Sequence, residues 1–256
     1  MQFNAVETRR TYSDRSADDS WREWCRETLA PLDTDVVDIG CGGGIYSMGF
    51  ADLGARSVTG VDQSRQYVDV ARRSAGGRER ISFCEGSANA TGLANNCADI
   101  VFERALIHHL SDEQKLDCAL EAKRLLKSRG LLCVQDRTFE DVQAVEPAHW
   151  IRSTLIDAFP RLLAFEKNRR PSRSEYSDLL SQCGFGSISV LAYQEVRRTY
   201  ETFDELRQEI LTRKGKSILF ELSDEDLRRY CSMLQVKSES HPLIECDLWT
   251  VWMAST

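Results

Sequence analysis

The segment VVDIGCGGGIYS, Val36 to Ser47, constrains this chain more than any other. An apolar run with an acid near its end breaks into Gly40, Gly42 and Gly44, and Tyr46, Phe50 and Leu53 then recur at helical spacing up to Gly54. Glycines let a backbone turn tightly and approach a ligand closely, and the start of a helix offers unpaired N–H groups. The segment therefore reads as a strand, a ligand-binding turn and a helix, the opening of a βαβ unit.

The same rhythm continues. SVTGVD ends at Asp62, with Ser64 placed to cap the next helix, and ISFCEGS and DIVFER supply strands over 81–87 and 99–104. Ser111 and Gln114 form a capping-box pattern; Leu116, Ala119 and Leu120 mark an apolar helix face; Lys127, Arg129 and Gly130 stop the helix before the strand LLCVQD, Leu131 to Asp136. Strands alternating with amphipathic stretches predict an α/β, right-handed, doubly wound sheet. Beyond Asp136, residues 140–182 read as helical, punctuated by Pro147, Pro160 and Pro171. GFGSISVLAYQEV and CDLWTVWMA supply two more strands, separated by two helices, the second with Ser223 and Asp226 as its capping box. The expected organisation is one domain over 1–256: an N-terminal helical segment (1–30), a ligand-binding core (31–139), and helical additions at 140–182 and 200–240.

Composition sets limits. The net charge of -7 argues against a nucleic-acid partner, because phosphate binding draws on an excess of Lys and Arg. No apolar run approaches a membrane span, and MQFNAVETRRTYSDRS lacks the apolar core of a secretory signal. Nine scattered cysteines form no CxxC pair and read as reduced, buried thiols of a cytoplasmic protein; the four histidines show no metal-ligand spacing, so no metal is expected.

Asp62 ends the second strand 18 residues beyond Gly44, where a carboxylate can accept both ribose hydroxyls of an adenosine. A dinucleotide fingerprint runs GxGxxG; here the third glycine position holds Ile45, which counts against a pyrophosphate. Asp38, two residues before Gly40, can hydrogen-bond an ammonium group.

These features, in this order, resemble the class I S-adenosylmethionine-dependent methyltransferases of the small-molecule type. VVDIGCGGG resembles their first motif and VTGVDQS their acidic second one; DIVFERALIHHLSD and EAKRLLKSRGLLCVQD resemble the segments around their fourth and fifth strands. The resemblance covers roughly residues 30–140. It implies a Rossmann-like seven-stranded sheet, mostly parallel with an antiparallel last strand, and S-adenosylmethionine as cofactor. Asp38, Gly40 and Gly42 would line its methionine part, Asp62 would hold the ribose, and Gln63 would lie beside the adenine. Ser87 and Ala88 stand where many members have an aspartate facing the adenine amino group. Glu103 and Arg104 would pass close to the cofactor, and Tyr12 and Arg15 resemble a Tyr-x-x-Arg pattern that folds over its carboxylate.

Catalysis by such a protein is mainly alignment of the acceptor with the electrophilic methyl group in a closed pocket. A base is needed only for an acceptor that carries a proton. His108 and His109 are candidate bases, although in the family the pair opens a helix and one ring packs structurally. His149 and Arg152 begin the first helical addition and are candidates, from position alone, to face a small-molecule acceptor. The basic run Arg161, Lys167, Arg169, Arg170 and Arg173 reads as a solvated helix face. A nucleotide-dependent enzyme on a similar sheet, a non-catalytic cofactor-binding protein and a nucleic-acid methyltransferase stay open as alternatives.

Overall fold

The computed structural model describes residues 17–144 and 147–256, so Tyr12 and Arg15 lie outside the described residues. Seven strands, β1 (Asp35–Ile39), β2 (Ser57–Asp62), β3 (Ile81–Glu85), β4 (Ala98–Arg104), β5 (Leu126–Asp136), β6 (Ile188–Thr199) and β7 (Ile244–Ser255), form one sheet in the order β3-β2-β1-β4-β5-β7-β6. Pairings from β3 to β5 are parallel, while β7 runs antiparallel to both β5 and β6. The expected mostly parallel sheet with an antiparallel last strand is the observed one.

Alternation along the strands builds two cores, one on each face. Val37, Ile39, Val101, Leu132, Val134 and Trp252 pack with α4 (Asp112–Leu125) and α8 (Arg173–Gln182). Val36, Ile100, Phe102, Cys133 and Val251 pack instead with Trp21 of α1 (Asp19–Thr28) and Phe50 of α2 (Ile45–Asp52). Helix α3 (Arg65–Ala75) covers Phe83 of β3 through Val68 and Ala71.

Both expected capping boxes form, Ser111 with Gln114 and Ser223 with Asp226. Three local expectations fail. Ser64 stands at the start of α3 but makes no side-chain cap; the Asp62 carboxylate takes the Ser64 amide instead, at 2.8 Å. On α4, Leu116 and Leu120 are 38% and 47% exposed, whereas Cys118, Ala119, Ala122 and Leu125 are fully buried. The small residues let the helix lie close to the sheet, so the leucines point outward. The helix also ends at Leu125, and β5 begins directly at Leu126.

The two helical additions meet in a core of their own. Trp150, Ile151 and Leu155 of α6 (Trp150–Ala158) pack with Leu206 and Ile210 of α9 (Phe203–Leu211) and with Leu227, Tyr230 and Leu234 of α10 (Asp224–Ser238). Helix α7 (Arg161–Arg169) joins through Leu162. Helix α8 does not: Tyr176 and Leu180 belong to the sheet core, so the cap ends before it. A short helix, α5 (Phe139–Val142), links β5 to the cap. All nine cysteines are free, seven of them buried. Among the described residues no helix is long and apolar enough to cross a membrane.

Candidate functional site

The chain runs outward from β1 to β3 and then returns to the other side of β1 with β4. At such a switch in strand order, the loops leaving the carboxyl ends diverge and open a crevice. A cavity of about 710 Å³ lies there, within the size range of small-molecule sites. Asp38, Gly40, Gly42, Asp62, Gln63, Ser87, Ala88 and Arg104 all line it.

On the β1–β2 side, the glycine turn is pinned by backbone bonds from the Gly40 and Cys41 amides to the Val61 carbonyl, 2.8 and 3.0 Å. Gly42 has φ +52°, and a Cβ there would meet nothing within 4 Å among the described residues, so this stretch of backbone faces the cavity. Gly44 begins α2 at φ +80°, and a Cβ would lie 2.7 Å from the Phe83 ring; only glycine fits. Asp62 accepts the Gly42 amide at 2.9 Å and the Ser64 amide at 2.8 Å. One carboxylate thereby shapes the turn while each oxygen keeps a lone pair for a ligand. Burial raises the Asp62 carboxyl, against those two amides.

Asp38 accepts the Ser47 hydroxyl at 2.6 Å and is 2% exposed. Burial, with the negative charge of Asp62, pushes its carboxyl up to about 7 against the Ser47 bond. A buried carboxylate on a ligand cavity with no cationic side chain bonded to it among the described residues fits an ammonium ligand. The open glycine backbone, Asp38 and Asp62 together suit the amino acid and ribose parts of S-adenosylmethionine.

Arg104 stacks between the rings of Tyr46 (4.3 Å) and Trp249 (4.2 Å) and donates to Glu195 at 2.5 Å. Glu103 does not reach the cavity, contrary to expectation. Adjacent strand residues point to opposite faces, and Glu103 turns toward α4, where the Cys118 thiol donates to it at 3.4 Å. Burial raises its carboxyl to about 7.

His108 and His109 line the cavity from a turn over Ile107–His109, their ring centroids 3.9 Å apart. His108 Nδ1 lies 2.8 Å from Asp136 Oδ1. Burial lowers His108 to about 4 in spite of Asp136, and burial together with His108 lowers His109 to about 2. Burial raises the Asp136 carboxyl, but His108, Arg170 and the Arg137 amide outweigh it and hold the group well below the carboxylate range. A neutral His108 therefore donates Nδ1–H to an ionised Asp136, leaving the Nε2 lone pair available.

His149 does not line the cavity; its Nδ1–H donates to the Cys246 carbonyl at 3.1 Å, a bond that joins cap to sheet. Arg152 does line it, held by Asp247 at 2.8 Å. The basic run is solvated only in part. The Arg161 and Arg173 side chains are about half exposed, but Arg169 and Arg170 share the buried Glu166 carboxylate. Asn89, Arg137, Glu195 and Asp247 also line the cavity and were not singled out in the sequence. The one signal for a buried pairing was Glu166, Arg169 and Arg170 at helical spacing.

Residues 37–134 match the family model of the methyltransferase domain. The chain is 29% identical over 165 residues to the uncharacterised methyltransferase YcgJ of Bacillus subtilis, covering 64% of this chain and 59% of that protein. It is 35% identical over 125 residues to protein arginine N-methyltransferase 1 of Schizosaccharomyces pombe, covering 46% and 35%. The chain thus spans less than two thirds of the length of these relatives. Among solved structures, a chain from Anabaena variabilis named for a methyltransferase of an antibiotic biosynthesis pathway superposes with a TM-score of 0.72 at 18% identity, over 94% of this chain and 99% of that one. That likeness is one of fold. Fold, glycine turn and domain match agree: residues 37–134 form a methyltransferase domain, and the chain resembles the class I S-adenosylmethionine-dependent methyltransferases.

Proposed function

We propose that this protein transfers a methyl group from S-adenosylmethionine to a small-molecule acceptor. One observation carries the reading: at the switch in strand order, the Asp62 carboxylate holds the Gly42 amide beside the buried carboxylate of Asp38. When bound there, S-adenosylmethionine supplies an electrophilic methyl group, which the acceptor's lone pair takes as the carbon–sulfur bond breaks. Asp38 would hold the ammonium group, Asp62 the ribose, and Gln63, Ser87 and Ala88 the adenine side. His108, set by Asp136, is the candidate base, its Nε2 accepting the acceptor's proton; an acceptor already deprotonated needs no such step.

A small acceptor is favoured by the cap, since Arg152, Glu166, Arg169 and the 214–218 segment wall the cavity. The arginines and lysines of that wall disfavour an arginine side chain, the acceptor named for the Schizosaccharomyces pombe relative. We read residues 1–256 as one domain, with 31–139 holding the cofactor, and assign it to the cytoplasm, where buried thiols stay reduced. Calorimetry on the purified protein is expected to show binding of S-adenosylmethionine and S-adenosylhomocysteine but not NAD. Tight NAD binding with no response to either sulfur compound would overturn the assignment, and a screen of metabolite extracts with methyl-labelled cofactor separates an enzyme from a non-catalytic binder.

A further inference from the structure

The cavity is electrically two-sided. On the glycine-turn side it is lined by the acids Asp18, Asp38 and Asp62 and, among the described residues, by no lysine or arginine before Arg104. From Arg137 onward it is lined by seven lysines and arginines and by Glu166, Glu195 and Asp247, while Arg197, Arg198 and Lys216 are paired with Glu209 and Glu245 behind the lining. Around Asp247 and Glu166 the cations outnumber their partners. Arg137 and Arg152 both donate to one oxygen of Asp247, each at 2.8 Å. Arg169 and Arg170 share Glu166. Two guanidinium N–H groups there, Arg137 Nε and Arg169 Nε, are buried without a partner among the described residues. Burial, together with the charge of Arg152 and Arg170, pushes Arg137 down to about 10 against the pull of Asp247.

Buried guanidiniums that share carboxylates and keep unpaired donors are costly unless an anion completes them. Carboxylate and phosphate groups meet that need, because their oxygens match the fork of an arginine. Such an anion would also lie beside the candidate base: Arg170 bridges Asp136 at 3.1 Å and the Arg137 carbonyl at 2.9 Å, and Asp136 carries His108. We propose that Arg137, Arg152 and Arg169 form an anion subsite, so that the methyl acceptor is a small molecule bearing a carboxylate or phosphate group. The proposal rests on the methyltransferase reading. It separates the two charged parties, with the cofactor's ammonium on the acidic wall and the acceptor's anion on the basic one.

The test is calorimetric titration of the full chain with inorganic phosphate and with succinate. It is run with and without saturating S-adenosylhomocysteine, at matched ionic strength in sodium chloride. The probes should bind the S-adenosylhomocysteine complex in the millimolar range, and the stronger of them identifies the anion class. Arg169→Gln should weaken that binding about tenfold or more while leaving S-adenosylhomocysteine affinity within about twofold. Arg137→Lys, which keeps the charge but not the fork, should weaken it as well. The inference falls if neither probe binds up to roughly 50 mM, if binding is unchanged in Arg169→Gln, or if the probes compete with S-adenosylhomocysteine. Competition would mean that the arginines serve the cofactor's own carboxylate. Failure of S-adenosylhomocysteine to bind would sink the methyltransferase reading instead, while titration of the free protein would still decide the anion subsite.

Discussion

Cofactor affinity should fall about tenfold between about pH 8 and about pH 6, and the replacement Asp38→Asn should abolish that dependence. In the free protein, burial pushes the Asp38 carboxyl up to about 7. A ligand ammonium pairs with the carboxylate form only, so below that value each binding event must first expel a proton. The carboxylate fraction drops from about nine tenths at about pH 8 to about one tenth at about pH 6, a loss of roughly 1.4 kcal/mol in binding. A second consequence has the opposite sense. Because the folded-state carboxyl is raised above its ordinary 3.8, its contribution to stability is full at low pH and is lost as pH rises through about 7. A rise from 3.8 to about 7 corresponds to roughly 4 kcal/mol. Without ligand near pH 8, Asp38→Asn should therefore unfold at a higher temperature than the wild type while binding more weakly, since its amide oxygen can still accept the Ser47 hydroxyl. The assay is calorimetry with S-adenosylhomocysteine across this pH range in buffers of different ionisation heat, which counts the protons released. The ligand's own ionisation contributes equally to wild type and variant, so their difference isolates Asp38. A wild-type affinity flat with pH, or the same slope in Asp38→Asn, would refute the pairing.

Asp62→Ala should weaken S-adenosylhomocysteine binding about ten- to a hundred-fold, the loss of a charged hydrogen bond at ~1.5–3 kcal/mol, and should lower the melting temperature because the Gly42 and Ser64 amides lose their acceptor; unchanged affinity by calorimetry would put the ribose elsewhere. His108, lowered by burial to about 4 from 6.5, lends stability that is present above about pH 6.5 and lost as pH falls toward about 4. Between about pH 7 and about pH 5, urea titrations should show the wild type losing roughly 2 kcal/mol more than His108→Asn, and equal losses would exclude a buried neutral ring. Phe102, fully buried with its ring 5.1 Å from that of Phe50 and 5.9 Å from that of Trp21, should cost about 3–5 kcal/mol as Phe102→Ala, read from the urea midpoint.

Short-range physics made much of this protein legible in its sequence. The strand Asp35–Ile39, the turn through Gly40, Gly42 and Gly44, and the capping boxes at Ser111 and Ser223 depend on residues within a few positions of one another, so local pattern suffices. The spacing from Gly44 to Asp62 anticipated one wall of the cavity for the same reason: a single βαβ unit determines it. Orientation was less legible. Ala119 and Leu120 are neighbours on α4, but only packing against the sheet decided which would be buried and which would face water.

The other wall was decided by tertiary structure alone. An arginine stays in water unless a carboxylate accompanies it into the interior, and here the carboxylates come from far along the chain. Asp247 is 110 residues from Arg137 and 95 from Arg152, and Glu195 is 91 from Arg104. Glu166 is the local exception, three and four residues from Arg169 and Arg170, but pairs at that spacing also form on solvated helices, which is how Arg169 and Arg170 read in the sequence. Strand order and the cap bring the charges together, and burial then gives them their strength.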